Sequence, residues 1–195
     1  MLPIMLDITG KKCTVIGGGK VALRKAKKLT EYGGSVTALA PEFTEGFENI
    51  SIIQKRYTSS DIENSFLVIA ATNDRELNRQ IARDAKELNI LVSLADDSGA
   101  SDFVFPAAYS RGDITLSVST DGKLPMLAKK LCARKSEDME LYNAILPILE
   151  KYRQKIIAEN RDTKKELLEY MISDEMLEIA KKDIALLEQK IKEKL

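Results

Sequence analysis

The sequence has no histidine and no tryptophan, only two cysteines, and no net charge: 30 Lys and Arg balance 30 Asp and Glu. Without histidine, the commonest general base and the commonest metal ligand are both missing. A Ser–His pair is therefore excluded, no metal site is predicted, and acid–base chemistry falls to Asp, Glu, Lys, Tyr, Cys or a cofactor. Cys13 and Cys132 are far apart and form no Cys-x-x-Cys motif. Such sparse cysteine suits a reduced compartment, and both residues read as packing groups, one in a core strand and one on a helix. Zero net charge offers no electrostatic footprint for nucleic acid, and no nucleic-acid partner is expected. No apolar run reaches the roughly 18 residues that span a bilayer, and the N-terminus carries no signal-peptide pattern. No membrane association is expected, and the expected location is cytoplasmic.

What is present begins with Cys13-Thr14-Val15-Ile16, a short apolar, β-branched run that ends in Gly17-Gly18-Gly19 and turns helical from Lys20. Gly17-x-Gly19-x-x-Ala22 fits the dinucleotide fingerprint: the first glycine permits a tight turn, the second lets backbone approach a pyrophosphate, and Ala22 allows close packing of helix on strand. The helix behind it would direct free N–H groups and the positive end of its dipole at the pyrophosphate. Gly17, Gly18, Gly19, Lys20, Val21 and Ala22 are accordingly candidate cofactor-binding residues. A ligand-free glycine turn would read the same locally. At the end of the second strand, an acid for the ribose 2′-OH is expected. The chain has Ala40-Pro41 there, so the acid is missing or displaced to Glu42 and the choice between NAD and NADP stays open; no Arg stands at that strand end to hold a 2′-phosphate, which leans towards NAD.

Taken in order, Lys12 to Ile16, Ser35 to Ala40, Ile50 to Gln54, Phe66 to Ala71 and Ile90 to Leu94 read as strands, with helices over 21–32 and about 75–88 between them. The fourth strand is continuously apolar, as expected when both faces of a parallel sheet are covered. Thr72, Asn73 and Asp74 follow it at the carboxyl end, where open α/β sheets bind ligands; Asn73 and Asp74 equally suit capping of the next helix. The fifth strand ends in Ala95-Asp96-Asp97. Asp96 there would face the crevice and is the candidate proton acceptor, with Asp97 its competitor and a polar turn the bland alternative. Phe103 to Pro106 and Asp113 to Ser119 read as further strands. The alternation of strands and helices predicts an α/β fold with a Rossmann-like, doubly wound parallel sheet. From Pro125 the pattern is helical: Pro147 is expected to kink or break its helix, Arg161-Asp162-Thr163 is a polar break, Thr163-x-x-Glu166 matches a capping box, and Asp174 to Leu195 reads as one amphipathic stretch.

Four stretches resemble the precorrin-2 dehydrogenase family, the dehydrogenase part of sirohaem synthases: Leu2-Pro3-Ile4-Met5-Leu6-Asp7 with Gly10; Val15 to Ala22 with Arg24-Lys25-Ala26; Ala70 to Asp74 with Asn78; and Asp96 with Ser101-Asp102-Phe103-Val104-Phe105-Pro106-Ala107, followed by Ser117 to Ala128. The resemblance covers most of residues 2–132, and family members often read Ala-Pro at the end of the second strand, as here. It implies NAD-dependent oxidation of precorrin-2 to sirohydrochlorin in sirohaem biosynthesis, with Asp96 matching the family's catalytic aspartate. It also implies three regions, an NAD-binding domain over 1–113, a dimerisation segment over 114–140 that interlocks two copies, and a helical domain over 141–195. Family members differ in a second activity, ferrochelatase insertion of iron into sirohydrochlorin. The substrate carries eight carboxylates, so cations should line its site. Lys123, Lys129 and Arg134 are candidates, with the hydroxyls of Ser119 and Thr120. Where family members often have Ser before the loop Pro, this chain has Leu124, which puts a polar role at that position in doubt. Another NAD-binding oxidoreductase, or a non-enzymatic nucleotide-sensing protein on the same fold, stays open as an alternative.

Overall fold

A computed structural model describes residues 1–136, 138–159 and 162–195, so Arg161 of the expected polar break lies outside the described residues. The chain forms two compact units, residues 1–105 and 106–195.

The first unit runs β1 (Lys12–Ile16), α1 (Lys20–Glu31), β2 (Ser35–Ala40), β3 (Ser51–Gln54), a 3₁₀ turn (Ser59–Ile62), β4 (Leu67–Ala70), α2 (Arg75–Glu87) and β5 (Leu91–Leu94). The strands form one parallel sheet in the order β3-β2-β1-β4-β5. Strand alternation divides its core in two. Cys13, Val15, Leu67 and Ile69 bury against Ala22, Ala26 and Leu29 of α1. Ile16, Val68, Ala70, Val92 and Leu94 bury against Ile81, Ala82 and Ala85 of α2. All of β4 is buried, which explains its unbroken apolar run. The doubly wound sheet is therefore as the sequence predicts, and the order reverses between β1 and β4, the point at which such sheets open a ligand crevice.

No strand forms over Phe103 to Pro106. The edge N–H groups of β5 that another strand would use are taken by side chains instead: Val92 N–H donates to Asp102 Oδ2 at 3.0 Å and Leu94 N–H to Ser101 Oγ at 2.9 Å. Phe103 and Phe105 are anchors on the first core, their ring centres 5.7 Å apart.

The second unit opens with a hairpin, β6 (Ala107–Arg111) and β7 (Ile114–Val118), antiparallel with Arg111 opposite Ile114. The two-residue link Gly112-Asp113, with Gly112 at φ +53, is a hairpin signature that was present in the sequence. Among the described residues five helices follow: α3 (Pro125–Lys135), α4 (Met139–Ala158), α5 (Lys164–Met171), α6 (Asp174–Lys182) and α7 (Ile184–Lys194). Ile145, Tyr152, Ile156, Met176, Leu187 and Ile191 form their core. Pro147 lies inside α4 without breaking it. A helix-interior proline costs about 3 kcal/mol. Burial of Ile145, Tyr152 and Ile156 on either side contributes about 1.5–3 kcal/mol each and outweighs it. Thr163 stands at the start of α5 but makes no side-chain cap bond, because its backbone (φ −85, ψ 9) is not in the extended conformation a capping box needs. The stretch from Asp174 is two helices, divided at Asp183. Its extended backbone (φ −157, ψ 108) lets its carboxylate accept from Ala185 N–H at 2.8 Å and Leu186 N–H at 3.2 Å, capping α7.

Candidate active site

The site grows from the end of β1. Gly17 has φ +137, and a Cβ there would collide with the carbonyl oxygen of Ala71 at the end of β4. Gly18 passes so close to the carbonyl of Glu42 that it too has no room for a side chain. Thr44 ties the loop down, its N–H donating to Gly18 O at 2.8 Å. At Gly19 the space that a Cβ would occupy is open. Gly19 is also the N-cap of α1, with no side-chain cap bond and no acidic residue in the first turn, so the first N–H groups of this helix keep their capacity for an anion. The contrast with α2 is direct: Asp74 caps that helix, its Oδ1 accepting from Glu76 N–H at 2.9 Å and Leu77 N–H at 3.1 Å.

These elements border a cleft of about 860 Å³. Gly17, Gly18, Gly19, Ala40, Pro41, Thr72, Asn73 and Asp74, all candidates from the sequence, line it. Lys20 and Val21 are exposed on the first turn of α1, outside the cleft wall, and Ala22 is buried beneath the loop. The open, acid-free helix start and the room at Gly19 fit a dinucleotide pyrophosphate, which the Gly17–Gly19 loop would hold. Glu42 lines the cleft just past Ala40 and Pro41, where a ribose acid is expected.

Sequence reasoning passed over the far wall, where Arg56, Tyr57, Gln80 and Arg83 line the same cleft. Arg56 and Tyr57 lie just beyond β3, so the rule that ligands sit at strand carboxyl ends could have found them. The Tyr57 hydroxyl donates to Asp84 Oδ2 at 2.8 Å. Burial, then the Asp84 carboxylate, push this phenol well above its ordinary range.

Asp96 is not on the cleft wall itself but is joined to it. Asn78 of α2, fully buried, donates from Nδ2 to Asp96 Oδ1 at 3.1 Å and to Thr72 O at 3.2 Å. Its Oδ1 accepts from Thr72 N–H at 3.1 Å and lies 2.8 Å from the Thr72 hydroxyl. Arg75 Nε stands 3.9 Å from Asp96 Oδ2, and the Asp96 side chain is 29% exposed. Asp97, its competitor, turns into its own loop, Oδ1 accepting from Gly99 and Ala100 N–H.

On α1, Lys25 lies 3.9 Å over the ring of Phe105. Burial, reinforced by Arg24, lowers its amine to about 8, outweighing the attraction of the ring face for the charged form.

In the second unit, Ser119 Oγ accepts from Asp121 N–H at 3.1 Å and Thr120 Oγ1 from Leu124 N–H at 3.2 Å, so both hydroxyls brace a turn. Lys123, Lys129 and Arg134 are exposed. Among the described residues no three His, Cys, Asp or Glu side chains gather as a metal site, and no helix is long and apolar enough to cross a membrane.

Residues 4–107 match a family described as putative NAD(P)-binding. A sirohaem synthase of Psychrobacter arcticus is 38% identical over 138 residues, which are 68% of this chain and 25% of that protein. A probable multifunctional sirohaem biosynthesis protein of Ruminiclostridium josui is 40% identical over 136 residues, 66% of this chain and 26% of that protein. The chain thus spans about a quarter of the length of these curated relatives. Among solved structures, SirC, a precorrin-2 dehydrogenase, matches with a TM-score of 0.74 and 27% identity, covering 100% of this chain and 98% of that one. The family resemblance read from residues 2–132 is borne out by these matches.

Proposed function

Because the chain belongs to the putative NAD(P)-binding family, and matches along its whole length a protein named as a precorrin-2 dehydrogenase, we propose that it oxidises precorrin-2 to sirohydrochlorin with NAD, on the route to sirohaem. The observation that carries this reading is the link from the cleft to a carboxylate: Thr72 on the cleft wall, buried Asn78, then Asp96. The dinucleotide, when bound, supplies the hydride acceptor. Asp96 takes the second hydrogen as a proton while the new double bond of the tetrapyrrole forms, and passes it to solvent. The glycine loop would hold the cofactor's pyrophosphate and so fix its place in the cleft.

The same reading gives Lys123, Lys129 and Arg134, with Ser119 and Thr120, to the substrate's carboxylates, and residues 114–140 to the contact between two copies of the chain. It places the reaction in the cytoplasm and involves no nucleic acid. Sirohydrochlorin ferrochelatase activity is the second reaction to test.

The test is an anaerobic assay with precorrin-2 and NAD, following NADH and the sirohydrochlorin spectrum, with iron added to the finished reaction. Turnover in the wild type and a loss of about 10²–10⁴-fold in Asp96→Asn are expected. NAD binding without turnover would leave the cofactor reading standing and remove the substrate.

A further inference from the structure

We infer that Asn78 is the positioning residue of the reaction: it occupies one oxygen of Asp96, leaves the proton to the other, and ties that carboxylate to the cofactor side of the cleft. This rests on the reading of Asp96 as the proton acceptor.

Three observations carry it. The first is that the orientation of the Asn78 amide is set by its partners. Thr72 N–H can only donate, so the atom 3.1 Å away must be Oδ1. The reversed amide would point N–H at N–H there, and its oxygen at both Thr72 O and Asp96 Oδ1. With Oδ1 so placed, Nδ2 necessarily faces Thr72 O at 3.2 Å and Asp96 Oδ1 at 3.1 Å. A fully buried donor is thus aimed at one oxygen of the carboxylate and fixes that oxygen as an acceptor.

Second, the oxygens of Asp96 are differentiated. Oδ1 is occupied by Asn78. Among the described residues, the group that faces Oδ2 is the Arg75 guanidinium, at 3.9 Å and on an 81% exposed side chain. Arg75 and Asn78 stand three apart on α2, so one helix face addresses both oxygens. The neighbouring carboxylates are engaged elsewhere: Asp74 caps α2, Glu76 pairs with Arg79 at 2.9 Å, and Asp97 binds its own loop. The proton therefore goes to Oδ2.

Third, Thr72 is bound to Asn78 through both backbone N–H and backbone C=O, and Thr72 lines the cofactor cleft. A shift of one wall is passed to the carboxylate without a flexible joint, which is the geometric requirement for a base working against a bound cofactor.

The experiment compares the wild type with Asn78→Asp, Asn78→Ser and Asp96→Asn. In Asn78→Asp a carboxylate oxygen replaces the donor next to Asp96, and the pair must share a proton. The acid limb of the kcat profile is expected to move up by at least one pH unit, with kcat at neutral pH falling at least tenfold and KM for the tetrapyrrole within threefold. Asn78→Ser should move the limb in the same direction by less, and neither change should lower activity further in the Asp96→Asn background. An acid limb that stays in place while Asp96→Asn is inactive overturns the role of Asn78 and leaves Asp96 untouched. An active Asp96→Asn overturns the reading beneath it. A measurement on the unaltered protein is independent of how the variants fold. The side-chain amide proton of Asn78 that is donated to Asp96, followed by NMR, should be shifted downfield in the wild type and should move in Asp96→Asn; a side-chain amide resonance unchanged by Asp96→Asn overturns the inference.

Discussion

Gly17 and Ala71 stand 54 positions apart in the chain and touch at the ends of adjacent parallel strands, the glycine at φ +137 with no room for a side chain before the Ala71 carbonyl. The contact joins the loop that would carry a pyrophosphate to the strand end that leads, through Thr72 and Asn78, to Asp96. Loop, wall and carboxylate are therefore one mechanical unit.

Gly17→Ala should break that unit. The new methyl meets backbone, which cannot rotate away, and the backbone conformation itself costs about 1–3 kcal/mol for a residue with a Cβ. The expected result is a loss of at least tenfold in NAD affinity by calorimetry with the helical unit still folded by its own unfolding transition. Affinity within twofold of wild type would remove the glycine loop from the cofactor site.

Lys25 makes stability depend on alkaline pH. Its amine is lowered from 10.5 to about 8 by burial and Arg24. The unfolded chain therefore binds more protons than the folded one between those values, and stability due to this group rises as pH goes from about 8 towards 10.5. Below about 8 the full penalty of a half-buried ammonium applies. Lys25→Met should be more stable than wild type at pH 7, and the advantage should shrink by pH 10 in urea titrations. Parallel curves across that window would show that Lys25 titrates as it does in the unfolded chain.

Glu188 works in the opposite direction and in the other unit. Its carboxylate accepts from Lys151 Nζ at 2.9 Å and the Tyr152 hydroxyl at 2.9 Å, with Lys192 at 3.5 Å. The Lys151 bond, then the Tyr152 bond, hold it down at about 2 instead of 4.5. The stability it contributes is complete above 4.5 and is lost as pH falls through about 2. Glu188→Gln should flatten the acid arm of helical-unit stability between those values, measured by circular dichroism, and should lower the salt sensitivity of that arm. An acid arm identical to wild type would show the cluster to be inert.

Legibility followed the range of the interactions. The strand–glycine–helix turn at Cys13 to Ala22, the cap at Asp74 and the continuous burial of β4 depend on neighbours a few residues away, so composition and period sufficed to read them. The hairpin turn at Gly112-Asp113 was equally local, and was missed because the aromatic run Phe103 to Phe105 presented the stronger strand pattern. The division at Asp183 was obscured by an apolar stripe that runs through both α6 and α7.

The sequence by itself determined the parallel α/β sheet, the place of the phosphate loop and the candidacy of Asp96, because period, glycine spacing and strand ends are properties of the local chain. Only the tertiary structure decided what Asp96 is bound to, since Asn78 reaches it across 18 positions and Thr72 across six, with no period to announce either. The same holds for Tyr57 with Asp84, brought together across 27 positions by the sheet. It holds too for Pro147, whose helix survives because burial of Ile145, Tyr152 and Ile156 outweighs a broken hydrogen bond, a balance that exists only once the helices have packed.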